Sequence, residues 1–147
     1  MKQKITHHYS IFLQHKIDSL RQMIADLTLD AQNDAKGSAG DKHETALSMM
    51  QLEQEKLSNK VKEYIELKST FESISFDKKT TKIGIGSLVK LNDFYVLLSV
   101  SLPKTEIDGF SIWAISPQAP LAQILLNKQK GDQFSFNATH YEVISVE

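Results

Sequence analysis

The sequence predicts an α+β protein, in which an antiparallel hairpin of two long helices precedes a small domain of short strands and one helix. Two observations carry this prediction. The first half of the chain repeats apolar residues in alternating steps of three and four, the spacing of helices that pack along a single seam. The second half contains short runs rich in β-branched and aromatic residues, separated by turn-forming dipeptides.

The first helix is predicted from an apolar seam that no glycine or proline interrupts before Gly37. A second seam follows the glycine-containing segment, and its positions 54 and 68 are polar. Side chains at this spacing fall on one face of a helix, so each helix has one stripe to bury. The first seam consists of Leu13, Ile17, Leu20, Ile24, Leu27 and Ala31. The second consists of Leu47, Met50, Gln54, Leu57, Val61, Tyr64, Lys68 and Phe71.

The segment between the seams, residues 32–41 (QNDAKGSAGD), is small and polar and includes two glycines. This composition is typical of a turn. Two amphipathic helices joined by a short turn bury their stripes against each other, which predicts an antiparallel coiled-coil hairpin over residues 1–75. The polar sequence SFDKKTTK then marks the joint with a second domain, residues 76–147.

The second domain is predicted to hold five short strands, in the runs IGIGSLVKL, FYVLLSV, FSIWAIS, QFSF and YEVISV. The turn signals between them are Asn92-Asp93, Asp108-Gly109, Lys130-Gly131-Asp132 and Asn137. One helix is expected over residues 119–127, with Pro120 in its first turn. We expect an antiparallel sheet wrapped on this helix. The domain's aromatic residues are spaced like core residues of strands, namely Phe94, Tyr95, Phe110, Trp113, Phe134 and Tyr141.

Composition excludes several classes of function. The formal net charge is −1, and residues 1–75 (10 basic, 11 acidic) and 76–147 (7 and 7) are each near balance, so independent DNA binding is not expected. The absence of cysteine excludes disulfides and thiolate zinc sites. No run suits a signal peptide or a membrane span, so we expect a cytoplasmic protein.

Asp41 and Glu44 lie where the predicted turn becomes the second helix, and their spacing allows two interpretations. The first is a capping box, in which Asp41 accepts free backbone N–H groups and Glu44 reaches back to the cap. The second is a pair of carboxylates displayed at the end of the hairpin. Such a pair could hold Mg²⁺ and orient water, but only with further oxygen ligands from a partner.

Two stretches of this chain resemble the bacterial Gre transcript-cleavage factors, a family with a helical hairpin and an FKBP-like C-terminal domain. The sequence GDKHETA (40–46) is similar to the family's G-D-x-x-E-x-A, and Glu53-Gln54 resemble its acidic-Gln pair. The second stretch resembles the family's S-P-x-(S)-P-x-(A/G)-x-x-L-(L)-G-K-x-x-G-D signature. Its matching residues are Ser116, Pro117, Pro120, Leu121, Ala122, Leu125, Leu126, Asn127, Lys128, Gly131 and Asp132.

The resemblance implies a transcription elongation factor, an accessory protein and not an enzyme by itself. Its hairpin would enter the secondary channel of RNA polymerase, where Asp41 and Glu44 would share a Mg²⁺ with the polymerase and help it cleave the 3′ end of a backtracked RNA. No cofactor is expected on the isolated chain, which we expect to be a monomer. The expected partner-binding residues are Ser116, Pro117, Pro120, Lys128, Gly131 and Asp132.

The chain departs from the family directly after the tip. The family usually continues from the tip Glu with Asn-Ala-Glu-Tyr, whereas Thr45-Ala46-Leu47-Ser48 follow here. A polymerase-binding regulator without cleavage activity is therefore an alternative. Two further alternatives are an FKBP-like chaperone or prolyl isomerase, which needs an aromatic-lined pocket, and a coiled-coil adaptor in which the tip is only a helix cap.

Overall fold

A computed structural model describes the backbone of residues 1–35 and 40–147 and the side chains of residues 1–33 and 44–147. Two long helices, α1 (Lys2–Ala35) and α2 (Gly40–Ser73), are followed by short strands and the helix α3 (Pro120–Leu125). The α+β class with a helical hairpin is therefore confirmed. The strands are β1 (Leu88–Leu91), β2 (Phe94–Leu98), β3 (Thr105–Ile107), β4 (Phe110–Ile115), β5 (Gln133–Phe136) and β6 (Thr139–Val146).

The chain divides into two compact units. One is Ser10–Lys68, which holds most of both long helices, and the other joins Met1–Tyr9 to Ser69–Glu147. The first helix thus begins in the unit that contains the strands, because its first two turns have buried residues there. The predicted domains, residues 1–75 and 76–147, stay a prediction about which parts of the chain fold independently.

Two polar contacts show that the long helices run antiparallel in the unit Ser10–Lys68. Lys68 Nζ donates to Gln14 Oε1 at 2.5 Å, and Gln54 Nε2 donates to Thr28 Oγ1 at 2.6 Å. From the first contact to the second, the residue on α1 lies fourteen positions later in the sequence, and the residue on α2 lies fourteen positions earlier. The two polar positions of the second seam therefore face α1 and make hydrogen bonds with it.

Burial along the seam decreases towards the turn. Leu13, Ile17 and Leu20 are buried in α1, as is Val61 in α2, which confirms the predicted seam at these positions. The seam positions nearer the turn, from Ile24 to Ala31 and from Leu47 to Leu57, are half-buried. A pair of helices without a third layer leaves such positions partly open to water.

In the parts of the chain that the structure describes, no helix is both long and apolar enough to cross a membrane.

The strands form one six-stranded sheet in the order β3-β4-β2-β1-β6-β5. All five predicted strands are present, but β3 was not predicted, and the expectation of a purely antiparallel sheet is wrong because β2 and β4 are parallel. Both errors have one cause. A two-residue turn with positive φ at Asp108 (53°) and Gly109 (82°) folds β3 back on β4, which adds one reversal of direction between β2 and β4.

The central strands bury side chains on both faces. Val89, Leu91, Val96 and Leu98 belong to the core cluster that includes Ala122 and Leu125 of α3. Their alternate neighbours are equally buried, with Leu88 at 1% and Leu97 at 0% exposure. Because successive strand residues point to opposite faces, apolar groups must cover this sheet on both sides. Buried residues of the same unit in the long helices are Ile5, Tyr9 and Phe71.

The start of α1 is attached to the loop before β3. The Tyr9 hydroxyl donates to the carbonyl oxygen of Pro103 at 2.9 Å, and its ring meets Phe71 edge-on at 6.5 Å between centroids. Lys4 forms an ion pair with Asp108 at 2.8 Å. Burial raises the pKa of Tyr9 to about 12, so the folded chain holds this phenolic proton more tightly than the unfolded chain does.

The substitution Tyr9→Phe is expected to lower the free energy of unfolding by about 1 kcal/mol near pH 8, because it removes one partly buried hydrogen bond. In the parent chain, the stability that neutral Tyr9 contributes is complete below the unfolded pKa of about 10 and is lost as pH rises through about 12. The variant should therefore lose less stability than the parent above pH 10. Urea unfolding across this range measures both effects. Tyr95→Phe, which leaves the Tyr9 bond intact, is the control, and an identical alkaline profile for Tyr9→Phe and the parent would contradict the assignment.

Candidate functional site

The tip acids predicted from the sequence lie at the start of α2. The helix begins at Gly40, and Glu44, its fifth residue, is exposed to solvent. The side chain of Asp41 lies outside the described residues, as does the turn at residues 36–39. Both interpretations of the Asp41 and Glu44 pair, helix cap and metal-binding carboxylates, therefore stay predictions.

The residues that depart from the family pattern have a structural explanation at one position. Leu47 is half-buried and occupies the first position of the second seam. A leucine suits a half-buried seam position, whereas a glutamate would place a carboxylate in the seam. Ser48 is exposed and nothing in the structure explains it. The next residues are unusually apolar for a surface, with Met49 exposed by 66% and Leu52 by 68%.

No group of three or more His, Cys, Asp or Glu side chains that could hold a metal ion occurs within the described residues. Carboxylates such as those of Asp41 and Glu44 are the hard oxygen ligands that Mg²⁺ prefers. Two of them leave most of its coordination positions to other ligands. The shared Mg²⁺ stays a prediction that concerns a complex with a partner.

The first part of the predicted partner-binding stretch forms the entry to α3. The Ser116 hydroxyl donates to Gln118 Oε1 and accepts the Gln118 N–H at 3.2 Å. The Gln123 side chain donates to the Pro117 carbonyl at 2.6 Å. Pro120 is the first residue of the helix, as predicted, where its missing N–H leaves no hydrogen bond unmade. These contacts fix the backbone around the half-buried Pro117 and the exposed Pro120.

The second part of the stretch forms a turn that leads into β5. Gly131 has φ +93°, a backbone conformation that residues with a Cβ atom rarely adopt. Its N–H donates to the Val143 carbonyl at 2.8 Å. The Asp132 carboxylate accepts the Gln129 N–H at 2.9 Å. Gly131 and Asp132 thus have a structural role, while Lys128 is half-buried with its ammonium 6.0 Å from the Phe134 ring centre.

An aromatic groove on the strand unit was missed by sequence reasoning. The groove has a volume of about 350 Å³, and its apolar lining consists of Phe94, Trp113, Leu121, Phe136 and Tyr141. Of the six aromatic residues expected in the core, only Phe134 is buried, and Trp113 is 42% exposed. Phe94 and Tyr141 are half-buried and pack against the core cluster. The expectation was wrong for Trp113, because alternation assigns its side chain to the α3 face, which the six-residue α3 is too short to cover completely.

Comparisons with known proteins give little support beyond the fold described above. No protein-family model matches the chain, and no curated protein matches it. Among solved structures, the chain is similar to one described as "Structure of the transcription factor Gfh1", with 18% sequence identity and a TM-score of 0.38. The match covers 93% of this chain and 92% of that chain. A likeness at this level of identity and TM-score is not evidence for a shared activity.

The two substitutions Gly131→Ala and Gly84→Ala form a matched pair. A Cβ at either position meets no atom within 4 Å, but only Gly131 has a positive φ. We expect Gly131→Ala to lower the free energy of unfolding by about 1–2 kcal/mol, the cost of a left-handed conformation for a residue with a Cβ. Gly84→Ala should be neutral or slightly stabilising. Urea unfolding of both variants measures the difference, and equal stabilities would contradict a conformational role for Gly131.

Proposed function

We propose that this chain is an accessory transcription factor that binds RNA polymerase and acts on the RNA 3′ end inside that complex. The observation that carries the proposal is the pair of sequence stretches that resemble the Gre factors, in the family's order. The first, GDKHETA, opens the second helix of the hairpin, and the second runs from the end of β4 through α3 to the turn before β5.

The tip acids have the chemistry that this role requires. Asp41 and Glu44 would add carboxylate oxygens to those of the polymerase and so complete the ligand set of a shared Mg²⁺. That ion would supply Lewis acid chemistry and stabilise the charge that develops during phosphodiester cleavage. Asp41 and Glu44 would also accept hydrogen bonds from a water molecule and orient it. The solvent exposure of Glu44 supports this role, since an acid that serves a partner must be accessible.

The expected docking residues of the second unit are accessible. Pro120 and Gly131 are exposed, and Ser116, Pro117 and Lys128 are half-buried. Their hydrogen bonds hold the backbone in a fixed conformation, which lowers the entropy cost of binding. The balanced charge of both halves supports a protein partner over nucleic acid alone, because nucleic-acid affinity depends on a basic excess.

A regulator that binds polymerase without stimulating cleavage is a second candidate. The observation that favours it is the sequence after the tip, where Leu47 and Ser48 replace an acid and a tyrosine of the family pattern. Prolyl isomerase activity is a third candidate, favoured by the aromatic groove. An isomerisation rate for a proline-containing peptide well above background would support it.

Asp41→Asn and Glu44→Gln test the tip. Asparagine caps a helix about as well as aspartate but carries no negative charge for Mg²⁺. We expect each variant to keep the stability of the parent and its binding to purified polymerase, while stimulation of cleavage in backtracked complexes is abolished. Glu55→Gln, at another exposed acid further along α2, should leave stimulation unchanged.

Three outcomes separate the candidates. Loss of cleavage stimulation in both tip variants, with polymerase binding intact, supports the proposed mechanism. A parent chain that binds polymerase but stimulates no cleavage supports the regulator. If the parent chain does not bind purified polymerase at all, the proposed function is wrong.

A further inference from the structure

We propose that the aromatic groove binds an organic cation, an alkylammonium or guanidinium group, which enters by displacing the chain's own Lys104. The observation behind this proposal is that the groove already holds a cation. The Lys104 ammonium lies 5.1 Å from the centre of the Trp113 ring, within the distance of a cation–π contact. The proposal is independent of the polymerase and of the tip acids.

Three rings form the walls of this site. Phe94 lies 5.8 Å from Trp113 with an angle of 51° between the ring planes, and it meets Tyr141 edge-on at 5.9 Å. All three line the same groove. Because these ring planes are inclined to one another, the groove walls are not parallel, so the groove suits a compact cation on the Trp113 face better than a flat stacking partner.

Lys104 reaches the groove from an anchored loop. The carbonyl of the preceding residue, Pro103, accepts the hydrogen bond from the buried Tyr9. Thr105, on the other side, contacts the His8 ring at 3.2 Å between Oγ1 and Nε2. The backbone at residue 104 is therefore fixed, whereas its side chain is exposed and attached by four rotatable bonds. The ammonium can leave the Trp113 face without any change in the fold.

The charges around the groove favour a cation once Lys104 has moved. The lining of the groove includes the acidic residue Asp93 and the neutral polar residues Ser111 and Asn137. Neither Asp93 nor Lys104 forms an ion pair with another described residue. An anion would lie beside the acidic residue Asp93 and the electron-rich face of Trp113. A neutral apolar ligand would displace Lys104 from Trp113 without replacing its contact.

The site also gives a role to the sole tryptophan of the chain, which is 42% exposed on the incompletely covered α3 face of the sheet. Tryptophan has the most favourable ring for a cation. An exposed cation–π contact is weak enough to be exchanged for a better-placed one. Lys104 thus acts as an internal competitor that keeps the ring faces occupied until a ligand cation arrives.

Fluorescence of Trp113 measures binding directly, because no other tryptophan contributes. The full chain is titrated with tetramethylammonium chloride and, separately, with N-acetyl-arginine amide, against sodium chloride of equal ionic strength. N-acetyl-citrulline amide, which matches the arginine compound in shape but is neutral, is the ligand control. A preference for the arginine compound indicates a polypeptide side chain as the natural ligand, and a preference for tetramethylammonium indicates a small quaternary amine.

Three variants test the exchange. Lys104→Met keeps the length of the side chain and removes its charge, so binding of both cations should tighten by about two- to fivefold, the factor of one exposed cation–π contact. Asp93→Asn should weaken binding. Phe94→Leu should weaken it by a similar two- to fivefold factor, whereas Tyr141→Phe, which keeps the ring, should leave it unchanged. Circular dichroism checks that each variant is folded. If Phe94→Leu does not fold, the binding measured for Lys104→Met and Asp93→Asn tests the proposal.

Saturable quenching by a cation that is absent with citrulline, together with tighter binding in Lys104→Met, supports the proposal. Equal binding of the arginine and citrulline compounds would overturn it and indicate a groove for apolar peptides. Weaker binding in Lys104→Met, or no saturable response in either the parent or that variant at millimolar ligand, would also overturn it.

Discussion

The requirement to cover both faces of the central strands is the constraint on which the rest of this structure depends. Val89 and Leu88 are adjacent in β1 and point to opposite faces, yet neither is exposed by more than 1%. The helix α3 supplies the apolar cover on one face. The strand unit also takes in the first two turns of α1 and the end of α2, with buried residues at Ile5, Tyr9 and Phe71. The first two turns of α1 and the end of α2 therefore belong to the core of the unit that contains the strands.

Incomplete cover on the α3 face has a functional consequence. A helix of six residues buries Ala122 and Leu125, but rings further along β2 and β4 remain in contact with solvent. Aromatic side chains tolerate this position because their faces interact with cations as well as with apolar groups. The same shortfall of cover thus creates the groove and leaves Trp113 available to a ligand.

Much of the fold could be predicted from the sequence, because its signals are local. The seams from Leu13 and from Leu47, the turn at Asp108-Gly109 and the helix start at Pro120 each follow from spacing or backbone preference. The parallel pairing of β2 with β4 could not be predicted, since it depends on the three-residue β3, which is too short for a clear alternation. Ile5 and Tyr9 were not predicted as core residues, because they continue the α1 stripe in steps of four beyond the predicted seam and are buried in the unit that contains the strands. The candidate site was predicted only where a family motif exists. The aromatic groove has no motif, because it arises from residues of five separate elements and the loops between them.

The two polar contacts between the long helices also determine the register of the hairpin. An apolar seam alone is nearly indifferent to a shift of one heptad, since leucine, isoleucine and valine replace one another along it. Here a shift of seven residues would place Gln14 opposite Val61 instead of Lys68, or Thr28 opposite Leu47 instead of Gln54. Each such alignment leaves partly buried polar groups without their hydrogen bonds, which is unfavourable. The hydrogen bonds of Gln54 and Lys68 therefore contribute less to how tightly the helices associate than to which residues form the end of the hairpin.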